Sequence, residues 1–140
     1  MLIDSSESKY QLGVPQMDET HREFMELLNQ LDSADKPAFM ELFPLLVEHT
    51  EAHFDSEQVL MRSTAFPAIR EHTDEHQRIL GQMHRLADKV AGGSIAMARA
   101  FVREQLPDWF ELHAATMDSA LAAHVKYHSQ TVSFTSTTMH

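Results

Sequence analysis

The fold of this chain follows from two segments: His53-Phe54-Asp55-Ser56-Glu57 and His72-Thr73-Asp74-Glu75-His76. The first places a histidine and a glutamate four residues apart, and the second places two histidines at the same spacing. On an α-helix, residues four apart lie one above the other on the same face. Each of two helical segments therefore presents two metal-ligating side chains in one direction.

The connection between these helices indicates how they are arranged. Only residues 62–66 separate the two, and Pro67 opens the second helix. Because so short a link makes neighbouring helices antiparallel, the ligating side chains can face one another across a bundle core. His21 upstream, and His113 with Asp118 downstream, add side chains of the same kind. Five imidazoles and two carboxylates on four helical segments are what a buried pair of iron ions needs.

The order and spacing of these residues resemble those of hemerythrin, and of the bacterial hemerythrins in particular: His21, His53-xxx-Glu57, His72-xxx-His76 and His113-xxxx-Asp118. Shorter features agree with the family, namely Gly13, the run Asp18-Glu19-Thr20-His21, the pair His53-Phe54, and Trp109 shortly before His113. The resemblance covers residues 10 to 126. It departs at Gln58, where the family often has a second acid, although that position is not a ligand in the family.

The resemblance implies a cofactor of two iron ions, Fe2+ or Fe3+, and a role for each residue. It assigns His72, His76 and His113 to one iron and His21 and His53 to the other. Glu57 and Asp118 then bridge the two ions together with an oxo or hydroxo group. One iron becomes six-coordinate, and the other keeps a vacant position for a small ligand. Apolar side chains near the ligands are expected to form an O2 pocket there, although they can equally be ordinary core: Phe24, Phe54, Trp109 and Phe110.

The function implied is reversible O2 binding for storage, transport or delivery, without enzymatic turnover and with an unknown protein recipient. Two other classes stay open: a module that senses O2 or redox state, and a di-iron enzyme acting on peroxide or nitric oxide. Ferritin-like di-iron enzymes use Glu-x-x-His pairs, and no such pair is placed to match here. Further histidines are expected to be surface residues or neighbours of the ligands: His49, His84, His124 and His128.

Composition narrows the partners and the location. The chain has 140 residues, enough for one domain with its own core. Its 21 acids against 11 Lys and Arg give a formal charge of −10, which disfavours binding to nucleic acid and leaves no polybasic membrane patch. The absence of cysteine excludes iron–sulfur clusters and cysteine-based zinc sites. No apolar run approaches a membrane span, and the start lacks the apolar stretch of a signal peptide, so a cytoplasmic location is expected.

The hydrophobic periodicity predicts an all-α fold, an up-down-up-down antiparallel four-helix bundle with an N-terminal arm. The expected segments of this single domain are an arm at 1–17, helices at 18–33, 37–63, 67–91 and 94–128, and a loose tail at 129–140. Asp18 and Ser94 are the expected N-caps of the first and last helices. Pro44 indicates either a bend in the second helix or a later start near Phe43, and Pro107 indicates a kink in the last helix.

His113 and Asp118 pose a geometric problem, because they are five residues apart on one helix. Five steps of about 100° would place their side chains roughly 140° apart. A single π turn would bring both onto one face. Alternatively, a regular helix could pass the iron pair so that the two residues flank it. We expect the regular helix.

Overall fold

The computed structural model describes the backbone of residues 1–138 and the side chains of residues 1–130, and this part of the chain is an all-α bundle without strands. A 3₁₀ turn at Ser8–Tyr10 precedes helices α1 (Pro15–Ser33), α2 (Lys36–Ser63) and α3 (Ile69–Ala91). The fourth stretch alternates between α and π geometry: α4 (Ala96–Ala100), a first π turn (Phe101–Gln105), α5 (Leu106–His113), a second π turn (Ala114–Asp118) and α6 (Ser119–Thr138). The predicted fold class is confirmed.

Helix α1 begins at Pro15, three residues before the expected cap Asp18. Proline suits the first helical position, because its ring presets φ and the missing N–H would be unpaired there anyway. The Asp18 carboxylate instead holds the arm: it accepts hydrogen bonds from the N–H groups of Leu12 at 2.7 Å and Gly13 at 3.1 Å. The prediction that Asp18 caps the helix is therefore wrong.

Helix α2 is continuous across Pro44, which removes the alternative that it starts near Phe43. Its N-cap is Asp35, whose Oδ1 accepts a hydrogen bond from the N–H of Ala38 at 3.0 Å. Such a cap satisfies one of the free N–H groups of the first turn.

The start of the fourth stretch also differs from the prediction. Helix α4 begins at Ala96, and its N-cap residue Ile95 makes no side-chain hydrogen bond. Ser94 belongs to the end of α3, because its N–H bonds to the Lys89 carbonyl at 3.0 Å. Gly93 adopts a φ of +93° in this turn, a conformation that residues with a side chain rarely adopt.

Each π turn is marked by a backbone hydrogen bond between residues five apart. In the first, the Leu106 N–H bonds to the Phe101 carbonyl five residues back, directly before Pro107. Because proline has no N–H and collides with the carbonyl four residues earlier, the wider turn accommodates it. In the second, the Ser119 N–H bonds to the Ala114 carbonyl, again five residues back. The expectation of a regular helix at this point is wrong.

Helix α6 continues to Thr138, whereas the sequence predicts a loose tail from residue 129. Residues 129–138 contain no glycine or proline, and their β-branched and hydroxyl residues lower helix propensity only slightly. Nothing local therefore stops the helix. The last two residues of the predicted tail lie outside the described residues.

The buried apolar residues form two clusters, and every long helical stretch contributes to both, in an order that reverses from one stretch to the next. The larger cluster includes Phe24 of α1, Phe54 of α2, Ile79 of α3 and Phe110 of α5. The smaller includes Met17, Met61 and Leu121, with Ile69 packed against it. On each stretch the predicted ligands lie where the two clusters meet, so they share one level of the bundle. Among the described residues, none of the helices has the length and apolar character needed to cross a membrane.

Candidate metal centre

All the residues predicted as ligands meet at one place in the bundle. Their side chains are buried, and none of the residues is more than 5% exposed: His21, His53, Glu57, His72, His76, His113 and Asp118. Burying so many ionisable groups is costly unless they are paired or bind a metal. The arrangement is therefore a candidate metal centre.

Helical geometry explains why the paired residues on each helix point to the same place. Glu57 lies one turn after His53 on α2, and His76 one turn after His72 on α3, so each pair shares a face. The second π turn does the same for the fourth stretch, because it absorbs the extra residue between His113 and Asp118. The Nε2 atom of His113 lies 3.2 Å from Oδ1 of Asp118.

The ligands divide into two groups that share both carboxylates. One group consists of Glu57, His72, His76, His113 and Asp118, and the other of His21, His53, Glu57 and Asp118. Within each group the ligating atoms all lie within 4.8 Å of one another. Two cations could therefore lie side by side with two shared carboxylates.

Each carboxylate directs one oxygen to each group. Oε1 of Glu57 lies 3.1 Å from His72 Nε2 and 3.2 Å from His76 Nε2, whereas Oε2 lies 2.6 Å from His53 Nε2. Likewise, Oδ1 of Asp118 lies 3.1 Å from His72 Nε2, whereas Oδ2 lies 2.9 Å from His21 Nε2. A carboxylate that bridges two metal ions uses its oxygens in this way.

The angles of the contacts between these carboxylates and imidazoles are more suitable for binding a metal than for forming hydrogen bonds. Both oxygens of Asp118 are buried without a hydrogen bond of acceptable geometry, although imidazole nitrogens lie near 3 Å from them. The Nε2 atoms of His21, His76 and His113 are buried in the same condition. A buried polar atom without a partner is costly, and two cations, one in each group, would satisfy all of these atoms.

Burial and charge compete in setting the pKa values of the cluster. Burial raises the pKa of the carboxyls of Glu57 and Asp118, but contacts with the surrounding imidazoles outweigh it and hold both pKa values low. Burial lowers the pKa of His21 and His72, but the carboxylates prevail and raise each to about 9. For His76 burial prevails, and its pKa is lowered. Both acids are therefore anionic at neutral pH, and a metal would displace protons from His21 and His72.

Two of the predicted pocket residues, Phe24 and Phe110, lie on the His21 side. The Phe110 ring meets His21 edge-on, with centroids 5.2 Å apart, and contacts Phe24 at 4.9 Å. Tyr10 of the N-terminal arm covers Phe110 at 5.8 Å. These rings are buried and apolar, so this side of the centre is shielded from water.

The other two, Phe54 and Trp109, cover the imidazoles of the opposite group. Phe54 stacks on His76 with centroids 3.7 Å apart, and its ring lies 5.4 Å from that of His53. Trp109 stacks on His113 at 4.6 Å with an interplanar angle of 15°. Taken together, the four aromatic residues therefore contact imidazoles of both groups.

Sequence reasoning missed two residues next to the ligands. Phe66, in the link between α2 and α3, meets His72 edge-on at 6.3 Å. Glu75 accepts a hydrogen bond from Trp109 Nε1 at 2.8 Å. The only signal for Glu75 was its position directly before His76, which says nothing about a partner on another helix.

The other described histidines lie outside both ligand groups: His49, His84, His124 and His128. His124 makes a 2.7 Å hydrogen bond to the Thr64 carbonyl, which fixes α6 to the end of α2. His49 lies 3.3 Å from Glu23, and His84 lies 2.6 Å from Glu51. Each of these three has a structural contact with a neighbouring helix or link.

Comparison with known proteins gives a consistent result. A family model described as "Hemerythrin HHE cation binding domain" matches residues 12–125. A bacteriohemerythrin of Ralstonia nicotianae is 34% identical over 107 residues, which is 76% of this chain and 77% of that protein. One of Aquifex aeolicus is 31% identical over 111 residues (76% and 85%), and one of Stenotrophomonas maltophilia is 26% identical over 121 residues (84% and 78%). No solved structure matches the chain.

Proposed function

Since this chain belongs to the hemerythrin family, we propose that it binds O2 reversibly at a pair of iron ions and catalyses no reaction. Storage, transport or delivery of oxygen is the role that such binding serves. The observation that carries the proposal is the division of each shared carboxylate between the two histidine groups.

In this proposal Glu57 and Asp118 bridge the two irons. His72, His76 and His113 complete one site, and His21 with His53 complete the other. The first group would offer an iron five protein ligands and the second would offer four, which would leave the second iron more room for a small molecule. When bound, the iron pair supplies the redox chemistry that O2 binding requires, and the protein supplies position and environment.

The environment of the second iron favours reversibility. Phe24 and Phe110 are at most 2% exposed, and Phe110 lies against the His21 ring. Apolar walls exclude water and limit the access of protons that would displace a bound oxygen ligand. The protein's part is therefore to hold the ions and to keep their surroundings dry.

Metal analysis is the first test. Protein produced with ample iron should contain two iron ions per chain. His124→Ala serves as a control for the loss of a histidine that is not a predicted ligand. Since His124 lies outside both ligand groups, this variant should keep the iron. One zinc and no iron in the wild-type protein would contradict the proposal.

The visible spectrum is the second test. The anaerobically reduced protein should be nearly colourless, should gain a visible band in air, and should lose it when O2 is removed. A spectrum that changes once and never returns would instead indicate turnover, as in an enzyme acting on peroxide or nitric oxide.

A further inference from the structure

The imidazole ring of His113 stacks on the indole of Trp109. The Trp109 ring lies nearly parallel to it, with centroids 4.6 Å apart. Both residues belong to α5, so this contact by itself does not relate His113 to the neighbouring helix. The indole Nε1–H, however, donates a hydrogen bond to Oε1 of Glu75 on α3 at 2.8 Å.

Glu75 is itself fixed in place. Arg78, three residues later on α3, donates from Nε to Oε2 at 3.1 Å and from its terminal NH2 to Oε1 at 2.6 Å. Both oxygens of the Glu75 carboxylate are therefore hydrogen-bonded, and Oε1 is held where the indole N–H of Trp109 reaches it.

The His113 ring needs such external support. A metal-ligating histidine usually donates its second ring N–H to a partner that fixes the orientation of the ring. Among the described residues, His113 Nδ1 is buried and has no hydrogen-bond partner. The ring is instead held by its contacts with other rings, of which the Trp109 stack at 4.6 Å is nearer than His72 at 5.0 Å and His76 at 5.2 Å. The stack is only as rigid as the indole that provides it.

We propose that Glu75 is a positioning residue of the metal centre: by holding Trp109 Nε1 it fixes the indole that orients His113 towards the metal. The inference rests on the proposed function, since His113 must be a ligand for its orientation to matter. It also explains why a carboxylate on α3 reaches across to α5 directly beside the ligand His76.

The first measurement needs no metal. Trp109 is the single tryptophan of the chain, so the intrinsic fluorescence of the metal-free protein reports on this indole alone. Glu75→Ala should shift the emission to longer wavelength, increase quenching by acrylamide and lower the anisotropy. Glu71→Ala is the matched control, because Glu71 is an exposed glutamate on the same helix that directly precedes His72 as Glu75 precedes His76. It should leave the emission unchanged.

The second measurement follows iron release to a chelator. Glu75→Ala should weaken iron binding about 10-fold, the lower end of what loss of a residue behind a ligand costs. Glu75→Gln keeps an oxygen acceptor for the indole and should stay close to the wild type. Trp109→Phe keeps a stacked ring without the N–H, so it should resemble Glu75→Ala, and combining the two should add nothing further.

The outcomes separate this inference from the proposed function. A wild-type protein that binds no iron would overturn the proposed function and the inference with it. If the wild type holds two irons but Glu75→Ala retains both its emission and its iron like Glu71→Ala, the inference alone fails. It also fails if Glu75→Gln behaves like Glu75→Ala, because the hydrogen-bond acceptor would then not be the feature that matters.

Discussion

Deletion of Ala115 should leave the metal centre intact, although it removes one residue between two ligands. In a regular α-helix, five steps of about 100° separate two side chains by roughly 140°, whereas four steps leave about 40°. The second π turn absorbs the fifth step, so that His113 Nε2 and Asp118 Oδ1 are 3.2 Å apart. Without the exposed Ala115, a regular helix provides the four-residue spacing and keeps both residues on one face.

The cost of this deletion should be small. The chain after the deletion shifts along the helix axis by at most about 1.5 Å, the rise of one residue. Contacts of α6 such as the 2.7 Å hydrogen bond between His124 and the Thr64 carbonyl must adjust by that amount. Iron content should stay at two per chain, with the far-ultraviolet circular dichroism of the wild type.

Deletion of Ser56 is the matched control. It also removes one exposed residue between two ligands, His53 and Glu57, but from a regular helix. One half of α2 must then turn by about 100° relative to the other. The first half carries Phe39, Phe43 and Leu46, all 0% exposed. At about 1.5–3 kcal/mol for each large side chain, their exposure costs roughly 5–9 kcal/mol, which is comparable to the whole stability of a domain.

The deletion of Ser56 should therefore yield a protein without iron that is unfolded or close to it. Iron analysis and urea unfolding of both deletion variants give the comparison. If the deletion of Ala115 lowers iron content and stability as much as that of Ser56, the π turn does not serve to accommodate one extra residue between His113 and Asp118.

Three further predictions follow from named contacts. Glu57→Ala and Asp118→Ala should each lose iron and stability together, because metal binding is coupled to folding; metal analysis with thermal unfolding checks this, and retention of full iron by either variant would contradict the bridging role. His124→Ala should keep its iron but lose about 1 kcal/mol of unfolding free energy with its hydrogen bond to the Thr64 carbonyl, as measured by urea unfolding. Asp35→Ala should cost about 1 kcal/mol through loss of the α2 cap, whereas Asp35→Asn should cost less in the same assay.

Local periodicity predicted the four helical stretches, and the spacing of the histidines and acids, with the resemblance to hemerythrin, predicted the residues that meet in the cluster. His53 with Glu57, and His72 with His76, share faces because α-helical geometry alone determines which residues lie one turn apart. The short link between α2 and α3 makes these faces oppose each other without any knowledge of distant contacts. The sequence alone therefore determined that the candidate ligands of α2 and α3 face the bundle core, since they follow the same period as the core residues around them.

The tertiary structure decided the features for which local geometry offers two solutions or none. The five-residue spacing of His113 and Asp118 fits either a regular helix or a π turn, and only the requirement that both face the shared site selects the π turn. Asp18 can cap a helix equally well, yet it holds the arm because Pro15 starts α1 earlier. The hydrogen bond from Trp109 to Glu75 joins residues 34 apart in sequence. Such a contact depends on the rotation of one helix against another, which packing of the whole bundle sets and no local pattern encodes.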